Sequence, residues 1–237
     1  MRVKCTTLWM QKDGNAPDEY EDAAYPLTFD DSSEQVEFRC AVADGATETS
    51  FSGLWAKLLV RGFVDKEPVN DSRKKWQEEI PSADLPWYVE EKAQSGAFAA
   101  LVGLSVNEDK TWRAEAIGDS CLLHIRDEKI LQSFPLKSAE EFNNRPALIC
   151  SIESATGEIE TSKSNGNWQD GDTFLLLSDA VARWALDDSD DALNRLCTLE
   201  NADELKALAT EQRALQGDDG RPRLHNDDIT IMKVQIN

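Results

Sequence analysis

Apolar and polar positions along this chain alternate with a period of two over some short runs and recur every three to four residues over others. The first period marks strands and the second marks amphipathic helices. Val3–Met10 mixes β-branched and aromatic side chains and predicts a first strand. Residues 24–29 and 35–43, flanking the turn-like Asp30-Asp31-Ser32-Ser33, predict a strand pair. Phe51, Leu54, Trp55, Leu58, Leu59 and Phe63 lie at helical spacing, so residues 49–64 predict a helix with one face on a sheet. Residues 65–85 form a charged excursion with Pro68, Pro81, a short helix around 72–79 and Trp76 as a packing anchor. Helix is expected again over 87–95.

Strands follow at 97–106 and, across the hairpin-like turn Asn107-Glu108-Asp109-Lys110, at Thr111–Ile117. Gly118-Asp119-Ser120 interrupts the pattern, which resumes as strands at Cys121–Arg126 and 130–134. Residues 135–167 are the least regular part and read as a mobile flap or loop region with one strand at 147–152. A continuous apolar strand at 173–180 ends on Asp179, helices are predicted over 181–186, 190–199 and 202–215, and Ile229–Ile236 closes the chain as a strand. Strands and hairpins interleave with helices without strict alternation. The fold class predicted is therefore α+β, with layered antiparallel sheets, in one domain over residues 1–237.

Charge narrows the functions available. With 45 acidic against 25 basic residues the formal net charge is −20, which argues against nucleic acid or an anionic membrane surface as partner. Cys5, Cys40, Cys121, Cys150 and Cys197 are scattered, form no CxxC pair, and read as reduced thiols of a cytoplasmic protein. Neither a signal-like apolar core near Met1 nor an apolar run of about 18 residues is present.

Candidate chemistry enters with the acids. Glu21-Asp22, Asp44-Gly45, Asp179 and Asp227 each stand where an extended segment meets a loop. A glycine after Asp44 lets backbone approach closely, because no Cβ intervenes. Hard divalent cations take oxygen ligands, and two of them together can activate water and neutralise a phosphoryl group.

Read in order, Glu21-Asp22, Val42-Ala43-Asp44-Gly45, Ile117-Gly118-Asp119-Ser120, Phe174 to Asp179 and Asp227-Asp228-Ile229-Thr230-Ile231 resemble the motif series of the type 2C metal-dependent protein phosphatases. That resemblance implies a four-layer α-β-β-α sandwich with two central antiparallel sheets and a metal site at one end. It implies two Mg²⁺ or Mn²⁺ ions: Asp44 bridging them, Gly45 lending its carbonyl, Glu21 acting through water beside Asp22, and Asp179 and Asp227 as further ligands. Asp119 matches a third-ion position, and equally reads as a strand-turn acid bonded to backbone. Asp44, Asp179 and Asp227 would carry catalysis, as metal-activated water attacks a phosphoserine or phosphothreonine ester. The implied partner is a phosphoprotein substrate, with a Ser/Thr kinase system as counterpart, and a monomer is expected.

Two departures stand out. Family members often carry an arginine shortly before the acidic pair. Here Ala16-Pro17-Asp18-Glu19 precedes Tyr20-Glu21, and Lys12 is the nearest upstream cation and the candidate phosphate contact. The Asp-Gly-His-Gly-Gly pattern is replaced by Asp44-Gly45-Ala46-Thr47-Glu48, which removes a histidine. A binding or regulatory module on the same fold is the alternative reading, and a fold kept without metals is a third.

Overall fold

Alternation along the central strands sorts their side chains into separate apolar layers. In the computed structural model, which describes residues 1–31, 34–47, 49–80, 93–142, 146–155, 160–187, 189–217 and 220–237, the chain runs β1 (Val3–Met10), β2 (Ala23–Tyr25), β3 (Thr28–Asp31), β4 (Glu37–Gly45), α1 (Ser52–Asp65), α2 (Val69–Glu79), β5 (Phe98–Asn107), β6 (Thr111–Ile117), β7 (Cys121–Arg126), β8 (Lys129–Phe134), β9 (Ile149–Cys150), β10 (Ser162–Asn167), β11 (Thr173–Leu177), α3 (Asp179–Asp187), α4 (Ser189–Thr198), α5 (Ala202–Ala214) and β12 (Ile229–Ile236). One sheet has the order β3-β1-β12-β11-β7-β8, the other β10-β6-β5-β4-β2 with β9 beside β5. Every strand pairing is antiparallel.

Phe38, Cys40 and Val42 of β4 meet Leu122, Phe174, Leu176, Met232 and Val234 between the sheets. The alternate positions Ala41 and Ala43 turn outward onto Trp55, Leu59 and Trp76 of α1 and α2. On the other sheet Leu123, Leu175, Leu177 and Ile231 turn outward onto Trp184, Leu196 and Leu205 of α3, α4 and α5. Three apolar layers thus hold four layers of structure, the α-β-β-α sandwich expected. Burying a side chain such as Leu176 or Phe174 contributes about 1.5–3 kcal/mol. Lys233, at a helix-facing position of β12, donates through Nζ to the carbonyls of Cys197 and Leu199 at 2.9 Å and so closes the C-terminal end of α4. Among the described residues no helix is long and apolar enough to cross a membrane.

Several boundaries differ from the sequence reading. The strand expected over 24–29 is two strands in different sheets: β2 pairs with β4 and β3 with β1, with Pro26 between them. Proline has no N–H for a ladder, so the segment changes sheets there. Within the region read as a flap, Ser162–Asn167 is a strand on β6. Its polar sequence on an exposed sheet edge has no apolar alternation to announce it. The strand over 147–152 shrinks to Ile149–Cys150, and the one over 173–180 stops at Leu177, so Asp179 opens α3 instead of ending β11. The helix expected over 87–95 falls mostly outside the described residues. Trp76 is buried as expected, its Nε1 donating to the Phe51 carbonyl at 3.3 Å. All five cysteines are free thiols.

Candidate functional site

Asp44 prolongs the inward face of β4 (Phe38, Cys40, Val42) one step past the inter-sheet core. The C-terminal ends of β1, β4, β6 and β11 and the N-terminal ends of β2, β7 and β12 all lie at this end of the sandwich, as the pairings Met10 with Ile229, Ala23 with Ala43, Leu101 with Ile117 and Leu177 with Cys121 require. Antiparallel registry therefore brings Glu21, Asp22, Asp44, Asp119, Asp179, Asp227 and Asp228 to one rim. Gly45 faces α1. A Cβ there would stand 2.6 Å from the Glu21 carbonyl oxygen and 3.0 Å from Ser52 Cβ, so glycine is what lets the residues before β2 and the start of α1 close on this strand. Ser52 Oγ donates to Glu21 Oε1 across the same gap.

The acids divide by partner. Asp22 is 1% exposed and accepts a hydrogen bond from Thr230 Oγ1 at 2.7 Å, and the Tyr20 hydroxyl is bonded to the same Thr230 oxygen. Asp228, also buried, accepts the backbone N–H of Lys12 at 2.9 Å and of Glu21 at 2.7 Å. These two carboxylates pin the chain between β1 and β2 onto the start of β12. Asp227 is held through its backbone: Arg213 Nη2 donates to its carbonyl at 2.8 Å, while its carboxylate accepts the next N–H at 2.9 Å. Asp179 accepts the Ala180 N–H at the start of α3, and its own N–H points at Asp44 Oδ2 at 3.5 Å.

Burial and like charges set the electrostatics of the site. Burial first, then the charges of Asp22, Asp179, Asp119 and Asp227, hold the Asp44 carboxyl well above the usual carboxylate range. Burial also raises Asp22, and hydrogen bonding from Thr230 and Ser178 only partly offsets this against the charges of Asp228 and Asp179. Asp119 is pushed up to about 7 by burial and by Asp179. Burial and Asp227 raise Asp179, against which the Arg183 charge works in the opposite direction.

As they lie, no three His, Cys, Asp or Glu side chains among the described residues converge closely enough to enclose an ion. The donor chemistry does fit a hard divalent cation: oxygen donors, buried and mutually repelling, beside a strand end where a Cβ would not fit. Asp44, Asp119, Asp179 and Asp227 share one electrostatic neighbourhood. Asp22 and Asp228 serve as structural pins as well as neighbours.

Lys12 Nζ reaches Thr47 Oγ1 at 3.3 Å, next to Ala46 at the exit of β4. A polar cavity of about 400 Å³ opens on the same side, lined by Tyr20, Glu21, Thr47, Ser52 and Lys57. Another, of about 330 Å³ between α1, α2 and β5–β6, is lined by Arg39, Phe63, Lys66 and Ile149 and touches none of the acids of the rim. The sequence reading gave no role to Tyr20, Ser178, Arg183, Arg213 or Thr230. Arg183 alone left a trace, four residues after Asp179 and so on the same face of a helix. The others depend on contacts between distant segments.

No family model matches the chain, and no curated protein matches it. Solved structures do. The photosystem II phosphatase PBCP superposes with a TM-score of 0.64 at 16% identity, covering 99% of each chain. The catalytic domain of the serine/threonine protein phosphatase PstP, solved with two manganese ions, gives 0.61 at 15%, covering 99% of this chain and 100% of that one. RsbX, solved with magnesium, gives 0.51 at 17%, covering 100% and 96%. The chain has the fold of the type 2C serine/threonine phosphatases.

Proposed function

We propose that this chain is a divalent-metal-dependent phosphatase acting on phosphoserine and phosphothreonine esters of proteins, with residues 1–237 as one phosphatase unit. The observation that carries this reading is the rim on which Asp44, Asp119 and Asp179, carboxyls raised by burial and by neighbouring acids, gather with Asp227. Such a group is stabilised by divalent cations, and the structural neighbours include a serine/threonine phosphatase solved with manganese and RsbX, solved with magnesium. In this reading Asp44, the Gly45 carbonyl, Asp179 and Asp227 would hold the ions, with Glu21 beside them. Asp119 offers a further position. Bound Mg²⁺ or Mn²⁺ would supply Lewis acidity and a nucleophilic water.

The chain's own residues arrange the rest. Ser52 holds the Glu21 carboxylate, Asp22 and Asp228 fix the segment that carries Glu21, and Arg213 holds the backbone of Asp227. Lys12, on Thr47 at the mouth, is the proposed phosphate contact from that side. A surface of net charge −20 favours basic substrate segments.

The regulatory alternative has its own support in Ala46, which leaves the exit of β4 without an imidazole. Hydrolysis of p-nitrophenyl phosphate and of a phosphothreonine peptide, with and without Mn²⁺, decides between the two. Turnover that needs Mn²⁺ and drops at least about 100-fold in Asp44→Asn and Asp227→Asn supports the enzyme. Mn²⁺ binding without turnover supports the module.

A further inference from the structure

The phosphatase reading leaves a gap in the charge balance. A phosphate ester dianion must approach a rim of carboxylates, and residues 16–19 hold no arginine to receive it. Lys12 supplies a point charge whose Nζ already contacts Thr47. The opposite side of the rim carries another cation. Arg183 lies one helical turn beyond Asp179 on α3, and residues four apart on a helix share a face. Its Nη1 is bonded to the imidazole of His225, at 3.3 Å from Nδ1 and nearer to Nε2, in the segment that leads to Asp227. Both side chains are half-buried. Arg183 is thus tied to the two segments that carry Asp179 and Asp227, and its planar fork suits two phosphoryl oxygens as an ammonium does not.

We infer that Arg183 captures the phosphoryl group of the substrate, with His225 as the positioning residue that aims it. The inference rests on the phosphatase reading. It assigns to α3 the role that the chain before β2 lacks an arginine to play. Arg183 receives the phosphoryl oxygens one helical turn from Asp179, where its charge offsets the repulsion between that carboxylate and the dianion.

Calorimetric titration of the Mn²⁺-loaded protein with inorganic phosphate tests this without turnover. Arg183→Ala weakens phosphate binding by about 10- to 100-fold, as loss of a charge-assisted pair does, while Mn²⁺ affinity does not fall. Arg183→Lys recovers part of the loss, and His225→Ala costs several-fold by releasing the guanidinium. Arg195→Ala, which removes an arginine paired with Glu211 between α4 and α5, leaves phosphate binding unchanged. If Arg183→Ala does not fold, Arg183→Lys and His225→Ala carry the test. Wild-type-like phosphate affinity in the folded Arg183 variants overturns the role of Arg183 alone. A wild-type protein that takes up Mn²⁺ but no phosphate overturns the phosphatase reading along with it.

Discussion

Asp22 and Asp172 are equally buried, each 1% exposed, and sit at opposite ends of the sandwich in opposite electrostatic states. Asp172 accepts Arg126 Nε and Nη2 at 2.7 Å, His124 Nε2 at 2.8 Å and the Gln169 N–H at 2.8 Å. Burial pushes its carboxyl up, and those donors more than compensate, holding it below the usual range. Burial lowers His124, so the neutral imidazole donates Nε2–H to the carboxylate. Asp22 has hydroxyl donors and acidic neighbours, and its carboxyl is raised. One buried aspartate closes a circuit within the protein. The other sits among carboxylates whose charges, with burial, push it up.

The sharpest way to break this contrast is at Asp172. Asp172→Asn strips a partly buried guanidinium of its bidentate partner and is expected to cost about 3–5 kcal/mol in urea unfolding. A loss under 1 kcal/mol would remove the distinction between the two ends.

Next comes pH, on metal-free protein. The folded value of Asp119, about 7, lies above its ordinary 3.8, so its contribution favours the fold at low pH and is lost as pH rises through 7. Asp44, Asp22 and Asp179 are raised as well and act in the same direction. Asp172 is lowered, so its contribution is present at neutral pH and lost on acidification through its depressed value. Metal-free protein should therefore lose about 2–3 kcal/mol between pH 5 and pH 8 from Asp119 alone, with the other raised acids adding to it, and Mn²⁺ should abolish that loss. A melting series at the two pH values with EDTA or Mn²⁺ checks both parts.

The smallest effect is the matched substitution at the acidic end. Asp22→Asn keeps an acceptor for Thr230 and removes a charge that its neighbours oppose, so metal-free stability should change by less than about 1 kcal/mol. A loss as large as that at Asp172 would mean that the two buried acids do equivalent structural work.

Much of the fold was legible because inward and outward positions are written locally. β1, β6, β7 and β12 have the bounds that alternation predicts, and the helical spacing of Phe51 to Phe63 marks α1 to within three residues at its start. The break at Pro26 and the strand Ser162–Asn167 were not legible. The former is a change of sheet, of which the proline marks the break but not the new partner strand, and the latter is a polar edge with no apolar face to bury.

The acids of the site could be found in the sequence because strand ends are visible there, and Asp44, Asp179 and Asp227 are three of them. Their division of labour could not. In Asp227-Asp228 the second carboxylate is the pin on Lys12 and Glu21, and only the fold reveals which residue does which. Arg183 beside His225, Arg213 on the Asp227 carbonyl and Thr230 on Asp22 join segments separated by 14 to 208 residues. What the sequence by itself determined is the periodicity of each element and the presence of acids where those elements end. The tertiary structure decided which charges share one low-dielectric rim and which are neutralised, because Coulomb energy depends on distance in space and on burial, neither of which is local in the chain.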